Sequence, residues 1–239
     1  MPKKVIINIF DFLLFNYITD DKMEQIIDLT YDIEEGMTTF NAPWHPTVSI
    51  KQMGRIGMEG RETRKLSLGT HTGTHVDAPL HFIKNGTSID KIPLSKLIGD
   101  ITIIDYSSLE ENKQITKEML EKNKISKKML FKFGWGKYWG TKKFYMDYPY
   151  FTKDAAEFLV SKNVELVAYD IPSPDDSHTK LGSEFDSQIH KIFLENGIIL
   201  AEYLANLDKL STYEGWSIVV LPLKIKNGDG SPARIFLYK

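Results

Sequence analysis

A chain of 239 residues, 42% of them hydrophobic, is long enough for one self-sufficient globular domain. Thirty Lys and Arg against 32 Asp and Glu leave a net charge of −2, so no overall positive field draws the chain to nucleic acid or to an anionic bilayer. The absence of Cys excludes disulfides, thiolate nucleophiles and Cys-ligated zinc, so any metal must be held by His and carboxylates.

The apolar stretch Val5 to Ile18 is interrupted by Asn8, Asp11 and Asn16, is too short to span a bilayer and is followed by no small-residue cleavage site. A cytoplasmic location is expected. Residues 1–22 read as an N-terminal extension, either an added apolar arm, the product of an upstream start codon, or an extra strand or helix packed on the core. An ordinary domain start with a strand follows at Met23, which makes 23–239 a single domain.

Runs rich in β-branched residues predict strands at Ile101–Asp105, Val164–Tyr169, Trp216–Leu223 and Ala233–Tyr238. Helical patterns at Thr116–Lys124, Thr152–Lys162 and Ser183–Glu195 each begin at a plausible N-cap. In the last, Ser183 and Asp186 have capping-box spacing and Asn196-Gly197 supplies the stop. Alternation of strands and helices indicates an α/β fold. The spacing is too irregular for a TIM barrel, and no glycine-rich turn marks a nucleotide site.

The segment His71-Thr-Gly-Thr-His75-Val-Asp77-Ala-Pro-Leu-His81 carries the chemistry. Its imidazoles and its carboxylate all fall on odd positions, which an extended chain turns to one side. A straight strand would hold His71 and His75 roughly 13 Å apart, far beyond two metal–nitrogen bonds of about 2.0–2.1 Å. A helix would turn Asp77 away and be broken at Pro79. A strand bent at Gly73 and running into a loop converges His71, His75, Asp77 and His81, and a divalent ion is what such a set of polar groups against Val76, Leu80 and Phe82 requires.

Further along, Glu202 ends the apolar run Ile198-Ile-Leu-Ala, where it is either an exposed strand-end residue or a carboxylate costly to bury unless paired or coordinated, and His190 lies at the edge of an apolar helical stripe. His178 reads as a loop residue. His45, in Pro43-Trp-His-Pro46, reads either as loop packing or as part of a pocket rim.

The stretch from His71 to Phe82 resembles the signature of the cyclase-like metal-dependent hydrolases, the group that includes bacterial kynurenine formamidase (arylformamidase) and isatin hydrolase. The likeness extends along most of the chain: Ile26–Thr30 resembles the family's opening strand, and Gly134-Trp135 with Trp139 its tryptophan motif. Asp170-Ile-Pro-Ser-Pro-Asp175 resembles its Asp-x-x-Ser-x-Asp turn, His190 and Glu202 have the spacing of its remote ligand pair, and Gly228 to Arg234 resembles its C-terminal turn. Phe133 departs from the pattern, standing where the family commonly has Thr, and the extension over residues 1–22 departs as well.

The resemblance implies a single-domain swivelling β/β/α fold, with a mixed central sheet and flanking helices, that assembles as a homodimer or homotetramer around one or two Zn(2+) or Mn(2+) ions per chain. By position, His71, His75 and Asp77 would be direct ligands, His190 and Glu202 would complete the site, and His81 would bind a second ion or act as acid or base. Such an ion activates water near neutral pH and polarises a carbonyl, which suits hydrolysis of a small amide or lactam, with His81 or Glu202 relaying the proton. Phe40, Trp44, Phe133, Trp135, Tyr138 and Trp139 lie in loop-like segments where the family places its pocket, and they either line it or pack in the core. Trp44, Trp135 and Trp139 are the expected substrate contacts. An arylformamidase-like hydrolase is therefore expected, and a catalytically silent divalent-metal sensor or buffer is the alternative from another class.

Overall fold

Nine strands share one mixed sheet in the computed structural model, which describes residues 25–239. The extension expected over residues 1–22 lies outside the described residues. In chain order the strands are β1 (Ile26–Asp28), β2 (Ser49–Gly54), β3 (Thr63–Ser67), β4 (His75–Asp77), β5 (Ile98–Asp100), β6 (Thr102–Asp105) and β7 (Gln114–Ile115). They continue with β8 (Lys128–Lys132), β9 (Tyr150–Phe151), β10 (Leu166–Tyr169), β11 (Ile199–Glu202), β12 (Ser217–Pro222) and β13 (Gly230–Tyr238).

The large sheet runs β5-β12-β13-β4-β11-β10-β8-β6, with β1 paired to β13. Strands β6, β8, β10 and β11 are mutually parallel. Parallel neighbours need crossovers, and the helices Lys117–Glu121, Lys153–Ser161 and Gln188–Glu195 provide them. From β11 the sheet turns antiparallel through β4, β13, β12 and β5.

Both faces of the parallel block are buried, which is why β10 and β11 read as continuous apolar runs. Alternate residues go to opposite sides. Phe131, Val167, Tyr169 and Leu200 pack with Leu159 and Phe193 of the helices, whereas Leu130, Ala168, Ile199 and Ala201 pack with Trp216, Ile218, Ile235 and Leu237 of the antiparallel half. β2 and β3 form a separate antiparallel arm. Every residue of β3 is exposed, and Met53, Ile56, Met58 and Leu66 present apolar side chains on the arm and the short helix at its tip.

The α/β architecture and the four predicted strands are present with ends shifted by one to three residues. The predicted helix at Thr116 shortens to Lys117–Glu121, and that at Thr152 appears as Lys153–Ser161. The third requires correction: it starts at Gln188, not after Ser183. Ser183 and Asp186 form no capping box, because Asp186 Oδ2 instead accepts the Gly182 N–H at 2.6 Å within a run of turns. The helix is capped from a distance by Asp175, whose two oxygens accept the Ile189 and His190 N–H groups at 2.6 and 3.2 Å.

Candidate metal centre

β4 sits between β11 and β13, and this single placement assembles the site. His75 lies opposite Glu202 on β11 and opposite Pro232 on β13, while Asp77 lies opposite Leu200 and Gly230. His75 and Asp77, two apart on one strand, point to the same face. The carboxyl end of β11 brings Glu202 to that face, and the helix Gln188–Glu195 packed above supplies His190. The bend ahead of β4 falls where the sequence places it: Gly73 has φ +60°, a conformation that costs glycine little. Gly230 is required for a different reason, since a Cβ there would stand 2.6 Å from His71 Cε1.

Four of the donors form a closed ring. His75 Nε2 is 3.3 Å from Asp77 Oδ1 and 3.4 Å from Glu202 Oε2, and His190 Nε2 is 3.5 Å from Asp77 Oδ2 and 3.2 Å from Glu202 Oε1. Two ligand atoms bonded tetrahedrally at about 2.1 Å to one ion lie about 3.4 Å apart, so these separations fit an ion between them. All four residues are buried.

The remaining nitrogens explain which lone pairs face the ring. His75 Nδ1 is 2.8 Å from the Gly73 carbonyl and His190 Nδ1 is 2.6 Å from Asp175 Oδ2. Both acceptors lack hydrogen, so each Nδ1 donates and each Nε2 is left free to ligate. His71 is clasped on both sides, with Nδ1 2.6 Å from Asp77 Oδ1 and Nε2 2.8 Å from Asp229 Oδ2. His81 lies against it, ring centroids 3.9 Å apart, with Nδ1 3.5 Å from Asp229 Oδ2.

Electrostatics follow this geometry. Burial alone would lower the pKa of His71, yet the neighbouring Asp77 and Asp229 carboxylates raise it to about 10. Burial opposes the charged form of His190 too, but Asp175, Asp77 and Glu202 raise its pKa well above the usual imidazole range. Asp77 is held well below the usual carboxylate range, because His71 and His81 outweigh its burial. Carboxylates gathered this closely among imidazoles favour a divalent cation between them.

The structure thus brings His71, His75, Asp77, His81, His190 and Glu202 together. Among the described residues, three sets of donor atoms lie within 4.8 Å of one another: His71, His75 and Asp77; Asp77, His190 and Glu202; and His71, His81 and Asp229. Asp229 and Asp175 were not singled out from the sequence, although both fall in turns matched to the family, because neither position reveals which imidazole it will reach.

The centre opens on a cavity of about 1010 Å³, lined by Phe40, Trp44, His45, Phe82, Tyr145 and Tyr203 among others. His45 is therefore a rim residue, and burial together with His71, His75 and His81 lowers its pKa to about 4. Trp44 lines the cavity, whereas Trp135 and Trp139 do not. Trp135 is a core residue whose Nε1–H donates to the Phe144 carbonyl at 2.9 Å, and Trp139 stacks on Tyr31 at 3.9 Å. Phe133 is buried as well, its N–H given to Asp170 Oδ1 at 2.7 Å. His178 stays in a loop, 2.9 Å from Asp147.

A mixed sheet with a buried His and carboxylate ring at the carboxyl ends of its parallel strands defines an α/β metal-centre protein. Residues 27–176 match the Cyclase family. Kynurenine formamidase of Bacillus cereus (strain ATCC 14579) is 30% identical over 217 residues, spanning 89% of this chain and 97% of that protein. An isatin hydrolase bound to the product analogue thioisatinate shares the fold, with a TM-score of 0.81 and 24% identity over 95% of this chain and 96% of that one. A structure described as a potential metal-dependent hydrolase with cyclase activity is 27% identical, with a TM-score of 0.67, and the match covers 90% of this chain and 97% of that one. The chain belongs to the Cyclase family.

Proposed function

We propose that this chain is a metal-dependent hydrolase of a small non-peptide amide, arylformamidase-like, taking an N-formylkynurenine-type substrate or a lactam such as isatin. The observation that carries the reading is the buried donor ring facing an aromatic-lined cavity large enough for an aryl amide. His71, His75, Asp77, His190 and Glu202 hold one or two ions, Zn(2+) or Mn(2+). When bound, such an ion lowers the pKa of water to about 7 and polarises a carbonyl.

The chain's own residues divide the remaining work. His81 has a side chain 22% exposed, against 4% for Glu202, so it can exchange protons with solvent while Glu202 cannot. His81 is the proton carrier, taking a proton from the attacking water and returning one to the leaving nitrogen, with Asp229 orienting its ring. Glu202 supplies fixed negative charge. Phe40, Trp44 and Phe82 line the wall that receives a flat aryl group.

The domain spans residues 23–239, and the exposed apolar side chains of the β2–β3 arm fit a homodimer or homotetramer built through it. Among the described residues no helix is long and apolar enough to cross a membrane, and a cytoplasmic enzyme is the reading we favour. Elemental analysis of the purified protein, combined with a hydrolysis screen over N-formylkynurenine, isatin and simple cyclic imides, tests the function. Chelator-sensitive turnover supports it; a fully loaded protein that turns over none of them would point to a silent metal sensor or buffer.

A further inference from the structure

Tyr169 ends β10 immediately beside Glu202, because the parallel register pairs Ala168 with Ala201 and carries both following residues to the helix-covered face. Its ring is wholly buried. Phenylalanine would fill that volume equally well, so packing does not account for the hydroxyl. The hydroxyl donates to Glu202 Oε1 at 2.5 Å, a short charge-assisted hydrogen bond inside the protein.

That bond falls on a carboxylate with two other demands. Oε1 faces His190 Nε2 and Oε2 faces His75 Nε2, so Glu202 closes the donor ring only when its carboxylate plane is turned to give one oxygen to each histidine. A free glutamate side chain rotates broadly about its last torsion. The two histidines each anchor their Nδ1 outward, to Gly73 and Asp175, so neither grips the Glu202 carboxylate from behind. Tyr169 is the one neutral donor that grips Glu202 from outside the ring among the described residues.

We infer that Tyr169 is a positioning residue of the metal centre, its hydroxyl locking the Glu202 carboxylate in the plane that spans both halves of the donor ring. The inference rests on the reading of that ring as a metal centre. Hydrogen bonds placed behind metal ligands typically change metal affinity or activity by about 10–100-fold when removed. No sequence pattern marks this one, since a tyrosine closing an apolar strand looks like core.

The test is metal affinity, read by competition with a chromogenic chelator for Zn(2+) and for Mn(2+), alongside the melting temperature in excess chelator. Tyr169→Phe is expected to weaken metal binding about 10–100-fold while the melting temperature of the stripped protein stays within a few degrees of wild type. In a Glu202→Ala background the same substitution is expected to change affinity by less than about twofold, because the coupled partner is gone. Unchanged affinity in Tyr169→Phe overturns the inference, as does an equal loss in the Glu202→Ala background. Wild-type protein that binds neither ion would overturn the metal reading itself, so the two failures are told apart.

Discussion

Glu202 and His75 face each other across adjacent antiparallel strands in direct register, with Oε2 3.4 Å from Nε2. The sheet ladder sets the spacing of the two backbones, so the two side chains start from fixed points on either side of the ion's place. Replacing Glu202 by Gln keeps the shape and removes the charge. Turnover is expected to fall by about 10²-fold or more, with an unchanged far-ultraviolet circular dichroism spectrum. Near-normal kcat would make Glu202 a structural residue only.

His81 differs from the other donors in keeping access to solvent. We expect His81→Ala to retain at least one ion per chain while kcat falls by about 10²-fold. Steady-state kinetics with metal analysis on one sample decides the matter: loss of all metal would make His81 an indispensable ligand, and unaltered kcat would remove it from proton transfer.

Metal removal should destabilise the fold, since an assembled donor set exists only in the native state. At free metal about 1,000-fold above Kd the ion contributes about 4 kcal/mol, which for a chain of this size is roughly 10 °C in Tm. Thermal melts with and without chelator measure it. An identical Tm in both would count against a resident ion.

Much of this centre was legible because its donors are local in sequence. Reach alone required a bend between His71 and His75, and Gly73 supplies it. The remote pair His190 and Glu202 was legible mainly through its resemblance to the family's remote ligand pair, with the cost of a carboxylate ending an apolar run as support. Asp229 and Asp175 escaped because they act as acceptors behind imidazoles 158 and 15 residues away, a relation no local pattern encodes. The same remote carboxylate defeated the helix boundary, as Asp175 does what Ser183 and Asp186 were expected to do. β8 was missed because Lys128 and Lys132 bracket an apolar run of only three residues, and loop tryptophans cannot be sorted by sequence into pocket and core.

Acid stability has a contributor far from the centre. Burial would raise the Asp105 carboxyl, but hydrogen bonds from Ser107, Tyr213 and Lys132 hold it below the usual carboxylate range. A depressed folded-state pKa means its stabilisation is present above the unfolded value of about 3.9 and is lost as pH falls through the folded one. The Tm gap between wild type and Asp105→Asn should therefore be widest near neutral pH and narrow below about pH 4. A gap that is constant from pH 7 to pH 3 would contradict this.

The β2–β3 arm offers a test of assembly. Met58 and Leu66 are 73% and 57% exposed, an arrangement that suits contact with a second copy. If the arm joins two copies as proposed, Met58→Glu with Leu66→Glu is expected to lower the mass seen in light scattering to that of a monomer while the melting curve stays cooperative. An unaltered oligomer would place the interface elsewhere.

Asp175 both seats the first turn of the helix Gln188–Glu195 and holds the ring of His190. A ligand and the tautness of its own helix therefore share one anchor. Opening of that turn would loosen the hold on the His190 ring, and an ion held by His190 would oppose the opening, so the helix and the metal site would be stabilised together.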